Sequence, residues 1–215
     1  MVHTLDEYTE EHQMYDFRLV STLGFDEADA DKVAADARVA VCEGEKSADA
    51  LATVAGGAAK PCRFISMPSQ LDMPGLTCGR MPQTEEECLA DALLYSEADL
   101  GKKVILTEKN DEDTLEDFSR REFTIVGITK SVLYINYERG STSVGSGTIS
   151  SFVYVLPEAF TTDYDTALYL RLADREGEVY SSEYTACIDA AEPWVKQLAE
   201  DTARARTNRI YDEAA

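Results

Sequence analysis

Histidine is almost missing from this sequence. His3 and His12 are the only two in 215 residues, both in the polar opening segment. Their separation fits neither a metal-binding helix face nor a catalytic triad. Basic residues are scarce as well, 20 against 41 acidic ones, for a formal net charge of −21. Phosphate backbones and anionic lipid surfaces both require clustered lysine and arginine, so nucleic-acid binding and docking on lipid by charge are excluded. The acidic surplus fits a solvated surface.

Long apolar runs are also lacking. The longest uncharged stretch, residues 140–157, is broken by glycine and serine and falls short of the ~20 apolar residues of a membrane span. The opening Met1-Val2-His3 lacks the basic and apolar regions of a secretory leader. The chain as given reads as soluble, which equally describes an ectodomain separated from flanking membrane helices. The cysteines are five, Cys42, Cys62, Cys78, Cys88 and Cys187, with no CxxC spacing. That excludes a zinc ribbon and a thioredoxin motif, and leaves buried free thiols or a single disulfide of unassigned pairing.

Catalytic signatures are missing in the same way. There is no GxSxG elbow. The Gly101-Lys102-Lys103 step lacks the upstream glycine of a phosphate loop, because Ser96 stands there, and the glycines of 140–147 do not match GxGxxG. Asp26, Asp29 and Asp31 are wrongly spaced for an EF-hand, and residues 110–113 read as a solvated charged turn. The expectation is no catalytic residue, no cofactor and no metal.

What is present is a regular alternation of strand and helix signals. Phe17, Leu19 and Ser21 alternate with Arg18, Val20 and Thr22, a strand over 16–22 that ends before Gly24. Asp26 is an N-cap for a helix to about residue 36, with Ala28, Val33 and Ala34 on one side. Residues 38–54 form a long β-prone segment with a charged middle, 55–60 a hairpin or loop, and 62–67 another strand. Further strands fall at 100–106, 122–128, 148–156 and 166–172, with a helical turn at 157–160. In 148–156, Phe152 and Tyr154 oppose Val153 and Val155. Residues 182–214 read as one long helix, with Ile188, Ala191, Val195, Leu198, Thr202 and Ala205 at helical spacing. Pro193 either kinks it or marks a fresh start. Beyond Leu198 the stripe weakens and Arg204, Arg206 and Arg209 appear, as in a helix that frays or leaves the core. The fold class is α+β, with mixed sheets, a few helices, a long final helix and two subdomains, about 16–70 with 160–200 and about 71–160.

The most specific string is residues 76–91, LTCGRMPQTEEECLAD. Gly79 permits a turn with positive φ, and Pro82 fixes the direction after it. Arg80 is placed to clamp backbone carbonyls or an acidic side chain. The acidic residues after Pro82 read as a short helix start. Downstream come Gly127 in a Val-Gly-Ile strand and a turn at Arg139-Gly140, with Arg139 a candidate partner contact. These residues read as architecture.

This order of pieces resembles the extracytoplasmic domain of FtsX-like (MacB-type) ABC transporter permeases, in which a Gly-Arg-x-Pro turn precedes a strand ending in Asp or Asn, then a Leu-Gly step into a strand, then a Val-Gly-Ile strand. The opening is similar too, in Asp16-Phe17, Ser21, Gly24-Phe25, Asp29, Val33, Val39 and Val41. The likeness spans about 16–173. It departs from the family at Cys78 and Cys88, which replace small and aliphatic residues, and in the charged middle of 38–54. The resemblance implies an α+β domain between two membrane helices, on the extracytoplasmic side of the cell membrane. It implies no enzyme activity here, ATP hydrolysis on a separate ATP-binding subunit or domain, and contact with the rest of the permease. An extracellular protein or peptide partner, and a dimer in the full transporter, belong to the same picture. The alternatives are a secreted or cell-surface binding module without a transporter, and an acidic hydrolase. The hydrolase would need a concave pocket holding two carboxylates of divergent pKa.

Overall fold

The computed structural model describes residues 13–134, 138–179 and 181–213. His3, His12 and most of the polar opening segment lie outside them. Ten strands are β1 (Phe17–Phe25), β2 (Val39–Glu45), β3 (Ser47–Val54), β4 (Lys60–Ser66), β5 (Gly75–Gly79), β6 (Glu87–Asp91), β7 (Lys103–Leu106), β8 (Glu122–Lys130), β9 (Ser151–Val155) and β10 (Asp165–Leu172). The α-helices are α1 (Glu27–Ala34), α2 (Glu112–Glu116) and α3 (Ser182–Glu213). The class is α+β, as expected. Two compact units divide the chain: residues 1–45, 69–72 and 163–215 form the first, 46–68 and 73–162 the second. β3 and β4 therefore sit in the second unit, not in the first where the sequence pattern places them. The β-prone segment 38–54 is two strands, one in each unit.

The first unit is an antiparallel sheet in the order β1-β10-β2. β10, with a partner on each side, buries Ala167, Leu168, Tyr169 and Leu170 in succession. Asp26 caps α1 in a reciprocal box, accepting from the Asp29 N–H at 2.8 Å while the Asp29 carboxylate accepts from the Asp26 N–H at 3.1 Å. The packed face of α1 is Ala30 and Val33; Ala28 and Ala34 are exposed, against the expectation. Leu19, Phe25, Val33, Val39, Leu168 and Leu170 meet Ala191 and Val195 of α3 in one core. Removal of such side chains from water contributes about 1.5–3 kcal/mol each. α3 runs unbroken through Pro193.

The second unit orders its strands β5-β8-β6-β9-β4-β3-β7, and β7 pairs again with β8. That last pairing closes β8, β6, β9, β4, β3 and β7 into a six-stranded barrel, which leaves no open edge around the ring except where two neighbours diverge. Even-numbered Ala50, Ala52, Cys62 and Phe64 point inward with Val153 and Val155, and Phe64, Phe118, Phe123 and Phe160 pack as a chain of rings. Ile65, Leu89, Phe152 and Tyr154 form a separate cluster on the other face. The alternation expected for β9 therefore holds. Residues 110–113 are more than a turn: Asp111 caps α2, accepting from the Thr114 N–H at 2.7 Å. The acidic residues after Pro82 form a turn and no helix, because arginines claim them. Arg120 binds Glu85 and Glu86, and Arg80 binds Glu87.

Candidate functional site

The sequence-predicted motif residues all fall in the second unit and form its joints. β8 changes partner along one edge. Glu122, Phe123 and Thr124 pair with β7, while Gly127–Lys130 pair with β5. Gly127 stands at the change, facing Gly79 across the ladder. A Cβ on Gly127 would lie 2.5 Å from the Arg80 carbonyl oxygen. Gly79 has φ +82°, and a Cβ there would lie 2.3 Å from the Val126 carbonyl oxygen. Two backbones meet at a distance only glycine allows. Beyond the joint, Arg80 turns back and grips Glu87, the first residue of β6, with Nη1 and Nη2; the bond from Nη1 is 2.7 Å. The Arg80 guanidinium and the Gln83 N–H hold the Glu87 carboxyl down at about 2. Arg80 is thus a local clasp in its own loop, half-exposed. Pro82 lies inside the loop that this clasp closes.

Asp91, the last residue of β6, is the second joint. It takes a two-pronged bond from Arg139, Nε to Oδ2 at 2.6 Å and Nη2 to Oδ1 at 2.9 Å. The two side chains are 2% and 7% exposed. The guanidinium lies 5.6 Å from the Tyr134 ring centroid and 5.4 Å from that of Phe152, and those two rings stack at 4.9 Å. Arg139 therefore fastens the segment before Gly140 over the outer face of β6 and β9. That makes it an internal tie and not the exposed partner contact the sequence suggested. Gly140 follows with φ +100°. Asp91 as its partner is not legible in the sequence, since the two are 48 positions apart.

In the first unit the arginines of α3 do the opposite of fraying. Arg206 binds Asp26, and Arg209 donates to Asp26 at 2.9 Å and to Asp29 at 2.6 Å. Burial would raise the Asp26 carboxyl, but the Asp29 N–H and the guanidiniums of Arg209 and Arg206 hold it below its ordinary value. Where the apolar stripe ends, charge takes over the docking. In Arg206→Ala with Arg209→Ala, backbone amides beyond about residue 199 are expected to lose hydrogen-exchange protection while β10 keeps its own. Unchanged protection would show that the ion pairs are idle.

A second carboxylate cluster lies at β2 in the same unit. Glu43 accepts from the N–H groups of Ser69, Gln70 and Leu71 and from the Ser69 hydroxyl. This holds the 69–72 segment on β2. Asp72, 4% exposed and at φ +53°, follows directly. Burial, with Glu45 and Glu43 nearby, pushes its carboxyl up to about 7, against a lowering bond from the Tyr15 N–H. Folding takes up a proton here between the unfolded value of 3.8 and about 7. The stability carried by the neutral acid is full below pH 4 and is lost as pH rises through 7. Asp72→Asn, which tolerates the same left-handed backbone, is expected to raise the melting temperature at pH 8 and leave it unchanged at pH 4. An equal shift at both would contradict this titration.

The five cysteines are free thiols. Burial pushes Cys42 up to about 12, with Asp165 and Glu43 adding to it, and raises Cys62 and Cys88 as well. None of those three is a poised nucleophile. Among the described residues no group of three or more His, Cys, Asp or Glu could hold a metal, and no helix is long and apolar enough to cross a membrane. A cleft of about 450 Å³ opens in the second unit between Asp49, Arg63, Lys109, Asp111, Ser143 and Gly145. Its carboxylates are committed, Asp49 to Arg63 at 2.7 and 2.8 Å and Asp111 to the cap of α2.

No protein-family model matches the chain, and no curated protein sequence does. Among solved structures the fold is similar to the periplasmic region of MacB from Actinobacillus actinomycetemcomitans, with a TM-score of 0.45, 13% identity, and coverage of 82% of this chain and 75% of that one. It is also similar to the extracellular domain of the ABC-type transporter YknZ from Gram-positive bacteria. There the TM-score is 0.44 and the identity 12%, over 78% of this chain and 80% of that one. At that level of likeness the case for function has to come from the chain's own residues.

Proposed function

We propose that this chain is the extracytoplasmic domain of an FtsX-like ABC transporter permease, a mechanical and docking module without catalysis of its own. The observation that carries the reading is the chain path. The first unit holds β1, β2, β10 and α3, and the whole barrel is spliced between β2 and β10. A module that takes force from membrane helices at its ends needs both ends on one unit, and it needs a stiff element there. α3 is 32 residues, about 48 Å at 1.5 Å per residue. It is packed on the sheet through Ala191 and Val195 and held at its far end by Asp26 and Asp29. Movement imposed on it would be passed to the sheet as a rigid displacement. The sequence order from Asp16 to the Arg139-Gly140 turn supports the family, and the glycine joint and the buried tie give those residues a physical reason to be there.

In this reading the rest of the permease and a separate ATP-binding subunit complete the assembly, the domain lies outside the membrane, and the full transporter is a dimer. The test is expression of the full-length gene product in its own membrane, followed by proteolysis from outside intact cells. The expected result is cleavage within this domain without lysis, and apolar spans of about 20 residues flanking it in the gene. A gene product with no span on either side, or one protected until lysis, would overturn the proposal.

A further inference from the structure

β3 has one edge that is only partly used. Its even-numbered residues face β4, as the Ser66 N–H bonded to the Lys46 carbonyl at 2.8 Å shows. Its odd-numbered residues face the other way. β7 reaches that second edge only at Ala52, Thr53 and Val54. At Leu51 the chain just past β7 keeps one backbone bond, the Thr107 N–H to the Leu51 carbonyl at 3.0 Å, and a side chain joins it. The Asn110 carboxamide accepts from the Leu51 N–H at 2.7 Å and donates to the Leu51 carbonyl at 2.9 Å. That is the two-bond exchange a peptide group makes across an antiparallel ladder. Two residues further along, the Asp49 N–H and carbonyl lie on the same edge, and among the described residues no strand pairs with them. Asp49 is part of the lining of the 450 Å³ cleft, whose volume is within the usual range of ligand clefts, about 300–1,000 Å³.

The geometry points to this cleft as a docking site for a short extended segment of a partner protein, added as a strand at Asp49 and carrying a basic side chain. Asn110 shows that the edge accepts an amide in pairing geometry, and the period of two carries that preference to Asp49. Ser143, Gly145, Lys109 and Asp111 complete the lining. Charge chooses the occupant. Within the wall segment, Glu108, Asp111, Glu112 and Asp113 are exposed against the lone ammonium of Lys109, on a chain of net charge −21. Asp49 and Arg63 neutralise each other on the floor. A cationic segment is drawn to that rim and an anionic one repelled. The site does not depend on the transporter reading, since it lies wholly in the second unit.

The test uses the whole chain, isotope-labelled for NMR, and blocked peptides. The parent is acetyl-Thr-Lys-Val-Thr-amide. Two others carry a backbone N-methyl at Lys or at Val, and a fourth has Glu in place of Lys. The parent should shift the Asp49 amide and slow its exchange. One N-methylated form should bind about tenfold more weakly, the loss expected for one deleted backbone bond and its crowding, while the other binds like the parent. The Glu peptide should be weaker than the parent, and salt should reduce that difference. Asp49→Pro removes the edge N–H and also the carboxylate that Arg63 of β4 binds, so it is compared with Asp49→Ala, which loses the same carboxylate and keeps the N–H. The proline variant should bind the parent more weakly than the alanine one, and equal binding by the two would overturn the proposal; if the proline variant does not fold, the N-methylated pair decides. An unmoved Asp49 amide, equal binding of both N-methylated forms and the parent, or the same shifts from free lysine would each overturn strand addition.

Discussion

Arg139→Ala is expected to cost about 3–5 kcal/mol of folding stability. The change removes one partner from an ion pair whose side chains are 7% and 2% exposed, and it strands the Asp91 carboxylate in the packed layer. Whole domains are stable by only about 5–15 kcal/mol, so the variant should be near its unfolding threshold at 37 °C. The double variant Asp91→Leu with Arg139→Met should recover most of the loss, because two apolar groups of similar volume leave no buried charge behind. Denaturant unfolding, followed with exchange at β6 and β9, measures both. If Arg139→Ala costs less than about 1 kcal/mol, the pair is solvated in solution and the tie described above does not exist.

Gly127→Ala should rank next, at about 2–3 kcal/mol. The added methyl meets the Arg80 carbonyl oxygen at 2.5 Å, besides the ends of Leu89 and Leu76 at 2.7 and 2.8 Å. Leucine tips can rotate away, but a carbonyl held in the strand joint cannot. Gly79→Ala adds backbone strain at φ +82° to a 2.3 Å approach on Val126 and should cost at least as much. Gly56 gives the control. It has φ +74° and nothing within 4 Å, so Gly56→Ala carries strain alone, about 1–2 kcal/mol. A loss at Gly79 no larger than at Gly56 would mean that conformation, and not close approach, explains it; Gly127 has no positive φ, so its loss reads close approach alone.

Local signals in the sequence were readable where one element decides its own outcome. Asp26 caps α1, Phe152 and Tyr154 take the face opposite Val153 and Val155, and α3 follows its apolar stripe. What escaped depends on partners far along the chain. The closing of the barrel needs β4 beside β9 and β6 beside β8 in parallel, pairings that no local pattern encodes. Asp26 and Asp29 look like a solvated acidic run until Arg206 and Arg209 arrive from about 180 residues away. Glu85 to Glu87 resemble a helix start because helix propensity ignores Arg80 and Arg120. Gly79 and Arg80 could be recognised as architecture from their order, but their contacts, Gly127 and Glu87, could not be derived from it.

The chain path has a consequence for how the protein is made. β10 is the middle strand of the first sheet, yet it is the last strand to be synthesised. β1 and β2 leave the ribosome early and have no neighbour to pair with until residues 165–172 follow. Every strand of the barrel is complete before then. The barrel is therefore able to fold first, during synthesis, while the early strands wait with their edges open. An early stop in translation would leave a folded barrel trailing two unpaired strands, which is the form of this protein most exposed to aggregation.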